Sequence, residues 1–582
     1  MQAQPASSAT PAWAAIGAHG CVLLAGGLCL AMPFFPDQAL FTIYAQEIAR
    51  GTVLYRDLFD IKQPGIYGFY ALAGWLFGFN EIGIHLFELL YWIVFSILVS
   101  RVFRPYFLTS WGPALIPVFT VGVYYLWAGL PDLTQIEILV AFPLLLLWRV
   151  LDGADTRSSE AIVAYATAGL LAAVVVLLKY LYLIVALALL IVIVRRECRR
   201  GVPPARIHRS LLGFGVALAI PLLIVAGYFA AHGQLERIWW IYFQYVPGSQ
   251  LLGTKSFAFL KFGFRRFLVG HGPIVVLATF GLFASIYAAD QTRRRLVAAM
   301  ALWCVTGLVA VGVQGWWEYK WEFFTMPLGV VAAVGVETIS VAVASVPGRT
   351  RLVAVASAAG IAMIAVGAAG APHVQTWLLV SVPLGICTAA AGGVRSDARG
   401  RPGRFMLLLS ALCLGVAAGI AGAAPLAKFR SLAIHGFGIR GDARQQYQRS
   451  LSQAYLAADS DLAVLRRRNA EPHSLHVFGD PVLLFRAGLP PATPFLGQAP
   501  DSYDSRAWHE LDRALRAANP AYVVIDAYSE PIIRSRYPAV VEWIESRYSV
   551  ALEGSAGTWY ARRALGGSEQ IRHPQSSALP TP

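Results

Sequence analysis

Apolar runs of about twenty residues recur along most of this chain, and a helix of that length is what crosses the ~30 Å hydrocarbon core of a bilayer. Residues 12–35 form the first run, uncharged throughout. Further runs follow at 81–103, 111–128, 138–151, 161–178, 181–194, 211–231, 272–289, 296–313, 323–344, 352–369, 374–391 and 405–424. The pattern predicts about thirteen transmembrane helices. The composition agrees, with 57% apolar residues, only 14% charged residues and a mean hydropathy of +0.57. An ordinary soluble domain carries about 25% charge. The chain is therefore expected to be an α-helical polytopic membrane protein.

The net charge of +14 does not point to nucleic acid. Arginines gather in short connections between apolar runs: Arg195, Arg196, Arg199 and Arg200; Arg293, Arg294 and Arg295; Arg395, Arg399, Arg401 and Arg404. That is the positive-inside signature of cytoplasmic loops. Five of the six cysteines lie inside apolar runs, Cys198 lies in an arginine-rich loop, and no CxxC pair occurs. Neither a disulfide framework nor a zinc site is indicated. His435, His473 and His476 lack ligand spacing as well.

With the arginine-rich loops on the cytoplasmic side, alternation places residues 37–72, 129–137, Lys179, 234–266 and 314–322 together on the opposite face. The 37–72 stretch, DQALFTIYAQEIARGTVLYRDLFDIKQPGIYGFYAL, holds Asp37, Asp57, Asp60 and Lys62. Its apolar spacing predicts an amphipathic helix over 37–50, ended by Gly51, and a second short helix over 66–79 after Pro64-Gly65. Ionisable groups held beside lipid are costly, which makes this first loop the place to look for chemistry. Each of these groups also has a plainer reading. Asp37 suits a solvated cap, Asp57 a turn, and Asp60 with Lys62 a weak surface pair. Lys179 and Lys320 suit snorkelling side chains, and Trp316, Trp317, Tyr319 and Trp321 an interfacial belt.

From about residue 440 the chain changes character. LHVFGD, AYVVIDA and WYARR read as strands, and residues 507–518 and 539–547 as helices, giving a small α/β domain over 440–565. Residues 1–11 read as a polar leader that is not a cleaved signal peptide. Residues 566–582 read as a disordered tail. The transmembrane domain is expected over 12–430, with the first loop over 34–80.

YRDLFDIKQPGIYGFYAL resembles the first-loop pattern of the GT-C superfamily of polytopic glycosyltransferases. The nearest group is that of the lipid A aminoarabinose transferase, protein O-mannosyltransferases and rhizobial lipopolysaccharide sugar transferases. Asp37-Gln38 stands where the family commonly has Asp-Glu, Thr134-Gln135-Ile136-Glu137 where it has an Asn-Thr-Glu-like loop, and Lys179 where a family lysine falls between paired spans. GWWEYKWEFFTMPLGVVAA resembles its late aromatic-basic loop, and VFGDPVLLFRAGLPPATPFL with NPAYVVID its soluble domain. Gln38, Gln63 and Lys320 depart from the usual Glu, Pro and His. The resemblance implies a GT-C fold with juxtamembrane helices in the first loop and an extracytoplasmic α/β domain. It implies an inverting hexosyl or pentosyl transfer in the inner (plasma) membrane. The sugar would pass from a polyprenyl-phosphate carrier to an envelope glycan such as lipopolysaccharide, a lipid or a protein.

A carboxylate taking the acceptor proton and cations holding the leaving phosphate suit that reaction. Asp37 is the expected base, with Asp57 and Asp60 orienting it or binding acceptor hydroxyls. Lys62, Lys179 and Lys320 are the expected phosphate ligands, and Glu137, Glu318, Tyr319 and Glu322 are expected to line the same cavity. No cofactor is assigned, and the carboxylate cluster suits either a base or a divalent-cation site. The alternative is a transporter or flippase of lipid-linked glycan, which predicts ionisable residues in mid-span and broken helices in corresponding halves. A structural assembly factor would leave the first-loop acids unexplained.

Overall fold

The computed structural model describes residues 10–154, 158, 160–249, 256–287, 290–344, 423–435, 441–496 and 502–563. The chain divides into two compact units, Met1–Leu456 and Ala457–Pro582. The runs read at 352–369 and 374–391, most of that at 405–424, the arginines from Arg395 to Arg404 and the tail lie outside the described residues.

The first unit is a helical bundle. Among the described residues, five helical stretches are long and apolar enough to cross a membrane, or six if a pair bent by 57° (Phe257–Leu268 and Gly270–Ile286) is one span. Helix α1, Ala12–Gly27, and α4, Glu81–Val102, pack against each other. Between them α2, Pro36–Ala49, and α3, Pro64–Phe77, form the two short helices of the first loop. Pro36 and Pro64 each open a helix, where a missing N–H costs nothing. Gly51, at φ +100°, closes the turn after α2. Helix α2 starts one residue and α3 two residues before the expected bounds.

Four expected spans are remodelled. Residues 111–128 fold as broken pieces, with a π-helical segment at Val118–Gly122, because Pro113 and Pro117 remove ladder donors. The expected helix at 138–151 becomes a turn, Ile136–Leu139, followed by Ala141–Gly153. The runs at 161–178 and 181–194 form one stretch of 40 residues, Glu160–Arg199. At 1.5 Å per residue a stretch of that length far exceeds the bilayer core. It breaks at Lys179, whose φ of −164° and ψ of 105° are extended.

Close helix contact relies on small residues, as is usual in membrane bundles. A Cβ on Gly281 would lie 2.3 Å from the Val331 carbonyl oxygen, and one on Gly335 would lie 2.3 Å from that of Leu277. This reciprocal pair sets the crossing of Phe257–Tyr287 with Thr325–Ala344. Gly335→Val is expected to push the two backbones apart and cost about 1–3 kcal/mol or more. A thermal unfolding midpoint in detergent equal to that of the wild type would refute that packing.

The helix ends remote from Lys179 and Gln314 are tied by a second set of charges. Asp152 pairs with Arg196 and Arg295, and Arg293 lies 3.1 Å from buried Glu337. The second unit holds a four-stranded sheet in the order β1-β2-β4-β3, with β1 (Leu475–Phe478) parallel to β2 (Tyr522–Ile525). The other pairs, β2 with β4 (Thr558–Arg562) and β4 with β3 (Tyr548–Glu553), are antiparallel.

Candidate active site

Four of the five segments expected on one face meet around Lys62, and the fifth reaches it through Tyr242. The Nζ of Lys62 lies 3.6 Å from Asp37 Oδ2 and sits over the rings of Phe41, at 5.7 Å, and Tyr319, at 6.0 Å. Asp37 is in the first turn of α2, where the helix dipole favours an acid. Its neighbour Gln38 accepts a hydrogen bond from the Phe35 N–H at 2.8 Å and donates to the Leu133 carbonyl, tying α2 to the 129–137 loop. Burial alone would lower the Lys62 ammonium, but Asp37, Tyr319, Glu137 and Asp60 outweigh it and hold the group above its usual range.

Lys179, at the break in its helical stretch, pairs with Glu137 at 2.5 Å, and both are buried. Lys320 is buried and donates to the Gln314 carbonyl at 2.8 Å. Burial would raise the Glu137 carboxyl, but Lys179, then Lys62 and Lys320, hold it below its usual range. Three ammonium groups from three separate segments thus act on one carboxylate. Asp37 and Glu137 face them and Asp60 acts on Lys62 from the turn behind it, so cations from three segments are gathered where an anion could be held.

The other two aspartates have different surroundings. Asp60 is 1% exposed. It accepts from the backbone N–H groups of Ile61 and Lys62 and from the Tyr67 hydroxyl. It shapes the turn that presents Lys62, and burial pushes its carboxyl upward against the pull of Lys62. Asp57 lies on an exposed turn, accepting from Arg56 and from the Val53 N–H at 2.8 Å. The bond from Arg56 holds its carboxyl below the usual range. Asp57 is not brought into the lysine cluster.

Glu318 and Glu322 are turned elsewhere. They share the 3₁₀ segment Glu318–Phe324 with Tyr319 and Lys320. Whereas Tyr319 and Lys320 belong to the lysine site, Glu318 and Glu322 line a second cavity of about 160 Å³ with Trp127, Asp132, Arg266 and His271. Arg266 pairs there with Glu318 and lies 3.5 Å from Asp132. Burial, then Glu322, pushes the Asp132 carboxyl up to about 6 despite Arg266.

The 129–137 loop stands between the two sites, and buried Glu88 of α4 holds it. Glu88 accepts from the Tyr124 hydroxyl at 2.6 Å and from the Thr134 hydroxyl at 2.8 Å. Thr134 has φ +52°, a costly conformation for a β-branched residue. The Tyr70 hydroxyl donates to the Thr134 carbonyl at 3.2 Å. A lone acid inside an apolar run is a visible signal, and Glu88 belonged among the candidates. Nothing local in the sequence marked Asp132, Arg266 or His271.

The structure also holds an apolar groove of about 300 Å³. Gln63 and Tyr180, the residues that follow Lys62 and Lys179 in the chain, form part of its wall, with Leu177, Val225, Phe229 and Ile238. Tyr55 and Tyr242 also line it; Tyr55 donates to the Lys62 carbonyl at 2.8 Å and accepts from the Tyr242 hydroxyl. Tyr55 has φ +68° and Tyr242 lies in a π-helical segment. Both distortions are of kinds that gather at functional sites. Among the described residues no group of three His, Cys, Asp or Glu side chains is placed to hold a metal ion.

No protein-family model and no curated protein sequence matches this chain. Among solved structures it is similar to the crystal structure of ArnT from Cupriavidus metallidurans bound to undecaprenyl phosphate, at 14% identity and a TM-score of 0.50. That match covers 95% of this chain and 99% of the other. A crystal structure of the Archaeoglobus fulgidus oligosaccharyltransferase in complex with Zn and sulfate matches at 12% identity and a TM-score of 0.37, over 94% of this chain and 73% of that one. The alignment to ArnT over nearly the whole of both chains shows that this chain has the polytopic membrane fold of the GT-C type.

Proposed function

We propose that this protein is an integral-membrane glycosyltransferase that moves a sugar from a polyprenyl-phosphate carrier to an acceptor on the extracytoplasmic face. The observation that carries the reading is the convergence of Lys62, Lys179 and Lys320 on Glu137, together with an apolar groove walled by the residues that follow Lys62 and Lys179 in the chain. A lipid phosphate needs both parts: cations for its charge and an apolar trough for its chain. The solved structure of similar fold, ArnT, is itself bound to undecaprenyl phosphate, which supports the same choice of ligand.

In this reaction the acceptor hydroxyl or amine attacks the anomeric carbon as the bond to the phosphate oxygen breaks. Asp37 takes the acceptor proton, and the departing lipid phosphate keeps the bonding electrons, its charge met by Lys62 and its partner lysines. One direct displacement inverts the anomeric centre. Asp60 orients Lys62 through the turn it closes.

The transporter alternative draws on the mid-span acid Glu88 and on the broken 111–128 segment. Glu88 is satisfied by Tyr124 and Thr134, so its partners assign it to holding a loop rather than carrying an ion.

The test is binding of undecaprenyl phosphate to the purified full chain in detergent, read as ligand-dependent thermal stabilisation. The wild type is expected to be stabilised. Lys62→Met, which keeps the stem and removes the charge, is expected to weaken binding about tenfold or more, the loss of one charge-assisted hydrogen bond. Absence of stabilisation in the wild type, or equal affinity in the variant, overturns the carrier assignment.

A further inference from the structure

We infer that the second cavity, walled by Trp127, Asp132, Arg266, His271, Glu318 and Glu322, is a sugar-binding subsite: it takes a hydroxyl-bearing carbohydrate unit and turns phosphate away. This rests on the transferase reading above and names the part of the substrate that the lysine site leaves unaccounted for.

Four observations carry it. The cavity, at about 160 Å³, is far larger than the ~10–15 Å³ that holds one water. Its walls are rich in acids, whereas the lysine site gathers three cations. Three carboxylates, Asp132, Glu318 and Glu322, face one guanidinium, Arg266. Such a wall has acceptors to spare and suits ligands that donate O–H bonds, while a phosphate, which brings only negative charge, is repelled.

His271 supplies an unmet polar group. It is 3% exposed and lines the cavity, with its ring stacked on Phe267 at 4.5 Å. Neither ring nitrogen makes a hydrogen bond, although Nε2 is 3.2 Å from Glu322 Oε2. A buried group left in that state costs free energy that a hydroxyl ligand would recover.

The last observation is adjacency. Glu318 and Glu322 lie in the same short 3₁₀ segment as Tyr319 and Lys320. A phosphate held by the lysines and a sugar held by the acids would therefore be neighbours. The sugar itself has two possible sources, the unit on the carrier or the terminal unit of the acceptor.

The test uses the full chain in detergent with two separate probes, undecaprenyl phosphate without sugar, and free glucose, galactose, mannose and glucosamine. At least one sugar is expected to stabilise the wild type more than Glu322→Gln and His271→Gln. General solute exclusion acts on all three proteins alike. Undecaprenyl phosphate is expected to stabilise all three equally. Either variant serves if the other does not fold, and Trp127→Leu tests the wall without altering charge.

In membranes with a radiolabelled polyprenyl-phosphate sugar pool, transfer by each variant is expected to fall about tenfold or more, one hydrogen bond to a charged group. Slow release of the label to water falls with it if the site holds the donor sugar. It is unchanged, and the acceptor KM rises, if the site holds the acceptor. Equal response of wild type and variants to every sugar, with transfer unchanged, makes the cavity a water-filled ion network and overturns the inference. Loss of undecaprenyl phosphate binding with the sugar difference intact would instead overturn the carrier reading and leave the subsite standing.

Discussion

Asp37→Asn is expected to abolish transfer while the protein stays inserted and carrier-bound, with kcat falling by roughly 10²–10⁴-fold, the contribution of a positioned general base. Amide and carboxylate have nearly the same shape, so α2 should fold in the variant. Pro36 at the helix start and the Gln38 bond to Phe35 are untouched. What is lost is the proton acceptor. Asp37 is chosen over its neighbours by what already occupies them. Asp60 has both oxygens engaged by Ile61, Lys62 and Tyr67, and Asp57 is tied to Arg56 on an exposed turn. The Asp37 side chain retains 25% exposure and faces Lys62, where a proton and a departing phosphate must both be handled.

The assay is transfer of labelled sugar from the polyprenyl-phosphate pool, with protein level and labelled carrier followed alongside. Labelled carrier should accumulate. Transfer at the wild-type rate would reduce Asp37 to a first-turn acid that favours its helix. Label trapped on the cytoplasmic face would move the protein to the flippase class.

The bundle and the first loop were legible because membrane solvent leaves strong marks on sequence. Long apolar runs, a proline at each short-helix start and glycine after α2 each have one ready physical reading. The sharing of one face by five distant loops followed from arginine placement, and in the structure Asp37, Lys62, Glu137, Lys179 and Lys320 do converge. Legibility failed where structure depends on partners. Residues 111–128 look like an unbroken span until Pro113 and Pro117 are weighed against the apolar count. Strand β3 has mostly exposed or half-buried residues, so no apolar alternation announces it.

The second cavity draws on residues 127, 132, 266, 271, 318 and 322. Glu318 and Lys320 stand two positions apart yet serve opposite sites. Only the path of the 3₁₀ turn separates them, and a list of charged residues in a loop cannot contain that information. The expectation that all of them line one cavity is thus corrected for Glu318 and Glu322.

The buried Lys179–Glu137 pair yields the second large effect, and it should be asymmetric. Removing one member of a buried pair typically costs about 3–5 kcal/mol, because the other charge is left without compensation. Here the two halves differ. In Lys179→Met, Glu137 keeps Lys62 and Lys320 as neighbouring cations, so part of the loss is made up. In Glu137→Gln, Lys62, Lys179 and Lys320 lose the carboxylate they share and keep Asp37, with Asp60 beside Lys62, as neighbouring acids. Glu137→Gln is therefore expected to destabilise the protein more than Lys179→Met, and the double variant less than the sum of the two. Unfolding in detergent by heat and by denaturant measures all three. The same charge balance predicts that undecaprenyl phosphate rescues Glu137→Gln more than wild type, since the anion replaces the missing carboxylate, and that salt weakens this rescue. Equal destabilisation by the two single variants would mean that Lys62 and Lys320 do not share Glu137 with Lys179. An anion site built from three lysines would then reduce to a single ion pair beside Lys62.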